Sequence, residues 1–74
     1  MNVELKIDHY TIKLFIDGYI HVFIRREQFV GFSSWSDGNN KYAIEYYTIT
    51  NSILTEQDSK DKWLSILNEL NNKL

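Results

Sequence analysis

Polar and apolar residues alternate from the start of the chain. Val3, Leu5 and Ile7 are separated by Glu4 and Lys6; Tyr10, Ile12 and Leu14 are separated by Thr11 and Lys13. Alternation sends successive side chains to opposite faces, so each run reads as a half-buried strand. The apolar parity switches between Ile7 and Tyr10. No glycine or proline marks a turn there, so the pattern favours one long strand with a β-bulge near Asp8-His9 over two short strands. A second strand spans about Tyr19 to Arg25, a third about Gln28 to Ser34 and a fourth about Lys41 to Thr50. The polar cluster "SSWSDGNN" separates the last two.

The period then changes. Trp63, Ile66, Leu67, Leu70 and Leu74 recur at a spacing that shares one helical face. Asp58 or Ser59 supplies an N-cap, and Asp61 adds negative charge to the first turn. The predicted order is β-β-β-β-α, an α+β fold. A four-stranded antiparallel β-meander has one face covered by a C-terminal α-helix, with Trp63 as the central plug. No linker, repeat or low-complexity tract interrupts the chain, so residues 1–74 read as one small domain.

The stretch "LFIDGYIHVF" decides which way the aromatics face. A two-residue loop of Asp17 and Gly18 pairs Ile16 with Tyr19 and Leu14 with His21, which mixes apolar and polar groups on each face. A three-residue loop of Ile16, Asp17 and Gly18 pairs Phe15 with Tyr19, Leu14 with Ile20, Ile12 with Val22 and Tyr10 with Ile24. It gathers Tyr10, Ile12, Leu14, Ile20, Val22 and Ile24 on one face, and is preferred because it segregates aliphatic from aromatic residues. Val30, Phe32, Tyr42, Ile44 and Tyr46 are expected to join that face. Phe15, Tyr19 and Phe23 then lie outside, with Phe29, Trp35 and Tyr47 as further members. A contiguous exposed apolar patch marks an interface.

Composition narrows the partners. A 74-residue chain without cysteine has neither disulfide nor thiolate metal site to support a small core. Oligomerisation is a usual remaining aid. Absence of cysteine fits a reducing compartment. Glu4 and Lys6 interrupt any signal-peptide core, and no apolar run approaches the ~20 residues that span a bilayer. A soluble cytoplasmic protein without membrane contact is expected. A net charge of −2 with scattered signs lacks the basic stripe of a duplex-DNA binder.

Catalytic chemistry finds little to use. His9 and His21, even with Asp8 or Asp17, do not show the spacing of three or four converging zinc ligands. The serines of "SSWSDG" fit turn chemistry rather than a nucleophile elbow. Glu27 and Glu45 read as solvated side chains, and "SDGNN" lacks the Gly-x-Gly spacing of a phosphate loop. Neither an enzyme nor a bound cofactor or metal is expected.

The β-β-β-β-α order resembles the PC4-like single-strand-binding architecture, in which a sheet-plus-helix unit dimerises. That resemblance lies in element order alone, and no residue is carried over from it. The short chain without cysteine or proline is also similar in character to small phage or mobile-element proteins, many of which inhibit a host or defence protein by binding it. The expected function is a non-enzymatic protein-interaction module. It self-associates as a homodimer or larger assembly and inhibits by occlusion, with Phe15, Tyr19, Phe23 and Trp35 as anchors. One alternative places single-stranded nucleic acid on the same face, with Arg25, Arg26 and Lys41 on phosphates. Another holds a small aromatic or nucleotide ligand between protomers.

Overall fold

Asp8 begins a turn. Its carboxylate accepts hydrogen bonds from the backbone N–H groups of Tyr10 and Thr11, each at 2.7 Å, and from the Thr11 hydroxyl. In this computed structural model, which describes residues 2–74, β1 (Val3–Ile7) and β2 (Thr11–Ile16) are therefore separate antiparallel strands. The expected bulge near residue 8 is corrected to a turn. An aspartate side chain supplies the turn chemistry that glycine or proline supplies elsewhere.

The next connection uses the two-residue loop. Asp17 (φ 51°) and Gly18 (φ 86°) both adopt positive φ, as a type I′ hairpin turn requires. Ile16 pairs with Tyr19 and Phe15 with Ile20. The register then shifts, so that Leu14 pairs with Val22 and Ile12 with Ile24. His21 is the extra residue of a bulge in β3 (Tyr19–Arg25). The preferred three-residue loop is thus overturned, while the aliphatic face of Ile12, Leu14, Val22 and Ile24 forms through the bulge instead. One inserted residue reverses parity, which turns Ile20 outward to 56% exposure. Tyr10, expected on the same face, lies in the β1–β2 turn and is 80% exposed.

A 3-10 turn over Arg26–Gln28 leads into a second meander of β4 (Phe29–Ser36), β5 (Tyr42–Thr48) and β6 (Ser52–Gln57). The described residues hold six strands in two three-stranded antiparallel sheets, not one four-stranded meander. The element order that carried the PC4-like resemblance is therefore absent. A shift between Phe29 and Gly31 makes Val30 the bulged residue of β4, and it projects to 65% exposure rather than joining the core. Phe29, expected outside, packs against the core instead. No backbone pairing joins β3 to β6; a side-chain contact of 3.0 Å between His21 Nε2 and Gln57 Nε2 bridges them.

Helix α1 (Lys60–Lys73) starts where the Ser59 hydroxyl accepts from the Lys62 N–H at 3.2 Å. Ile66 and Leu70 are buried between the sheets' inner faces, against Leu5, Ile12, Leu14, Val22 and Ile24 of the first sheet and Ile44 and Tyr46 of the second. Trp63 is not the central plug. It is half-buried at the margin, its ring centroid 5.5 Å from that of Tyr42 and its Nε1–H donating to the Ala43 carbonyl at 2.9 Å. The centre belongs to Ile66, one turn further on, which is fully buried. Leu74 follows the helix and is exposed. Lys73 Nζ donates to the Leu5 carbonyl at 2.9 Å and ties the end of the helix to β1.

Candidate functional site

The helix covers one side of the sheets and leaves two outer faces uncovered. Directly opposite residues of an antiparallel pair share a face. On the first sheet, Glu4, Phe15 and Ile20 form one outer row, Lys6, Lys13 and Phe23 a second, and Thr11 with Arg25 a third. The lysines lie over the rings: Lys6 Nζ is 5.3 Å from the Phe15 centroid and Lys13 Nζ 5.8 Å from that of Phe23. Such cation–π contacts hold the ammonium groups close to the sheet.

The second sheet's outer face has a different composition. Its rows are Trp35, Ala43 and Glu56; Ser33, Glu45 and Leu54; and Gly31, Tyr47 and Ser52. The Tyr47 hydroxyl lies 2.7 Å from the Ser33 hydroxyl and donates to Glu45 Oε1 at 3.2 Å, while Ser52 donates to Glu45 Oε2 at 2.7 Å. Trp35 and Leu54 stand exposed on either side of this network. None of these nine residues is cationic.

The expected anchors are therefore split. Phe15 and Phe23 share the first sheet's outer face. Tyr19 pairs with Ile16, whose side chain packs against the core, and so belongs to the opposite side of that sheet, at its hairpin end. Trp35 lies on the other sheet. The expected phosphate contacts divide as well. Arg25 is on the outer face, Arg26 Nη1 is engaged by the Asp8 carbonyl at 3.0 Å, and Lys41 precedes β5 on the second sheet. Lys6 was missed, although its alternation with Leu5 and Ile7 already placed it opposite the core.

At one end of the first face is a cleft of about 320 Å³, lined by His9, Tyr10, Thr11, Phe23, Arg25 and Glu27. The Asp8 turn builds its wall. Hydrogen bonds from the Tyr10 and Thr11 N–H groups, in that order, hold the Asp8 carboxyl below the usual carboxylate range. The imidazole of His21 is also lowered from its ordinary value, by the protein atoms that displace water around it. Tyr46 Oη is buried with no hydrogen-bond partner, and its pKa is pushed up to about 12 by desolvation. The Thr55 hydroxyl donates to the Ile44 carbonyl and does not bond Tyr46. Among the described residues, no three His, Asp or Glu side chains gather to hold a metal, and no helix is long and apolar enough to cross a membrane.

No known protein family matches this chain, and neither curated proteins nor solved structures contain a match.

Proposed function

We propose that the protein is a non-enzymatic interaction module that self-associates through its two outer sheet faces. The observation that carries this reading is their complementarity. The first face combines Phe15, Phe23 and Ile20 with Lys6, Lys13 and Arg25, opposed there by Glu4 alone. The second combines Trp35 and Leu54 with Glu45 and Glu56. Apolar groups supply contact area on both sides, and opposite charge fixes which face meets which. Because the two patches differ, the contact is heterologous and extends into rings or chains larger than a dimer. A module of this kind acts on a further partner by covering its surface, which suits inhibition by occlusion.

Light scattering tests it. Mass is expected to rise with protein concentration at low salt and to fall as salt shortens the screening length to about 10 Å at 0.1 M. Lys13→Glu and Glu56→Lys should each reduce association. The double variant exchanges the signs and should restore it. A monomer at every concentration at low salt, or a double variant no better than either single one, sinks the reading.

A second reading draws on the same first face. Phenylalanines beside three cations resemble the platform on which single-stranded nucleic acid stacks. Lys6 and Lys13 replace Arg26 and Lys41 as the phosphate contacts in this version. It requires binding of a labelled oligonucleotide that weakens by about 0.7 log units per phosphate contact for each tenfold rise in salt.

A further inference from the structure

The cleft beside the Asp8 turn shares Phe23 and Arg25 with the first outer face, but His9, Tyr10 and Glu27 belong to none of that face's rows. Tyr10 is 80% exposed and contributes to none of the first sheet's three outer rows. Among the described residues its ring meets that of His9 alone, edge-on, with centroids 6.2 Å apart. Tyr10 and Phe23 both line the cleft without stacking on each other among the described residues, and Lys13 Nζ lies 5.8 Å from the Phe23 centroid. Aromatic walls of this kind accept any flat π-system.

The polar lining is equally free. Neither the Arg25 guanidinium nor the Glu27 carboxylate makes an ion pair or side-chain hydrogen bond among the described residues. One offers a planar fork of donors to an anion, and the other offers acceptors to N–H groups.

The wall is held in place before any ligand arrives. The Asp8 carboxylate binds the Tyr10 and Thr11 N–H groups, and Asp8 N–H donates to the Thr11 carbonyl at 3.1 Å. Arg26 closes the other side, its N–H donating to the Tyr10 carbonyl at 2.9 Å and its Nη1 to the Asp8 carbonyl. A turn fixed from both sides leaves little ordering cost for binding. Its volume of about 320 Å³ lies within the range of small-molecule sites, at the small end.

The geometry points to a binding site for a small nitrogen-heteroaromatic anion, its ring between Tyr10 and Phe23, its anionic group on Arg25 and its ring N–H on Glu27. The anionic group is a phosphate or a carboxylate, and two probes separate these sources. The full-length, ¹⁵N-labelled protein is titrated with guanosine 5′-monophosphate in one arm and with indole-3-acetate in the other. Saturable amide shifts are expected at His9 to Thr11 and Phe23 to Glu27. Binding of the first probe alone assigns a phosphate ligand; binding of the second alone assigns a carboxylate; binding of both assigns the shared chemistry. Arg25→Ala and Tyr10→Ala should each weaken binding by about tenfold. Both side chains lie outside the core, so the variants should keep the wild-type melt. Absence of saturable shifts with either probe at millimolar concentration overturns the site. So does affinity unchanged in both variants. The titration is run at a protein and salt concentration at which light scattering gives the mass of one chain, so its failure is distinguishable from failure of self-association.

Discussion

The two sheets share one motif, three antiparallel strands in sequence, yet they bury different kinds of side chain. The first turns Leu5, Ile12, Leu14, Val22 and Ile24 inward and keeps its phenylalanines outside. The second turns Tyr42, Tyr46 and Phe32 inward alongside Ile44 and Ile53, with Ser34, Thr55 and Gln57 in the same rows. Its inner face is therefore more polar and less fully covered. Turns differ in the same sense. Tight turns at Asp8 and at Asp17-Gly18 close the first sheet; the second has one such turn, held by Thr48 and Asn51, and one longer connection over residues 37–41 with positive φ at Gly38 and Asn40. Aliphatic burial plus fixed turns should make the first sheet the more stabilising half.

Truncation breaks or sharpens that contrast most strongly. Leu14 is 1% exposed, and Leu14→Ala should cost about 2–5 kcal/mol. A domain this small has only about 3–5 kcal/mol in total, so the variant should be largely unfolded in a denaturant melt. Ile53→Ala in the second sheet removes a half-buried side chain and should cost about 1–2 kcal/mol, leaving a cooperative transition. Equal losses would show that the two inner faces contribute alike.

The second sheet also contains its own test. Tyr46 is 2% exposed, and its hydroxyl has no partner. A buried hydroxyl without a hydrogen bond costs about 1–3 kcal/mol. Tyr46→Phe keeps the ring and should leave stability unchanged or raise it by about 1 kcal/mol, read from the melting midpoint. A clear loss would mean that an internal water bonds the hydroxyl.

The same contrast explains what the sequence reveals. In the first sheet, alternation and the Asp-Gly pair locate the strand residues and the hairpin because the inner residues are aliphatic, but they misjudge the loop length and read the Asp8 turn as a bulge. The His21 bulge escapes notice: a one-residue insertion leaves no residue-type signature, yet it flips Ile20. In the second sheet, β6 is missed altogether. Its inward residues are Ile53, Thr55 and Gln57, so period-two hydrophobicity is absent and "TEQD" reads as the approach to a helix. The helix and its buried face stand in plain view because four apolar positions keep a strict period, while the choice between Asp58 and Ser59 as cap falls to Ser59 only in the structure. The cleft is the least legible feature. Tyr10 and Phe23 come together only because Asp8 makes a turn, and nothing in residue spacing separates that turn from a bulge.

Acid should take the two weak points apart in order, with the smallest effects of the set. The His21 imidazole has a lowered pKa because burial disfavours its charged form. The unfolded chain binds that proton first, so the stability it contributes is present above the ordinary histidine range and is lost as pH falls through the depressed value. Its contact with Gln57 bridges β3 and β6, so this step weakens the seam between the sheets. Asp8 is lowered chiefly by the Tyr10 N–H, then by that of Thr11. Its contribution is present above the ordinary carboxylate range and is lost only as pH falls below that range. Melting temperature against pH should therefore show a mildly acid step that His21→Gln removes and a strongly acid step that Asp8→Asn removes, since the asparagine oxygen can still cap the turn. If both steps persist in both variants, acid sensitivity lies in neither the seam nor the turn, and the first sheet's fixed turns would no longer account for the difference between the two halves.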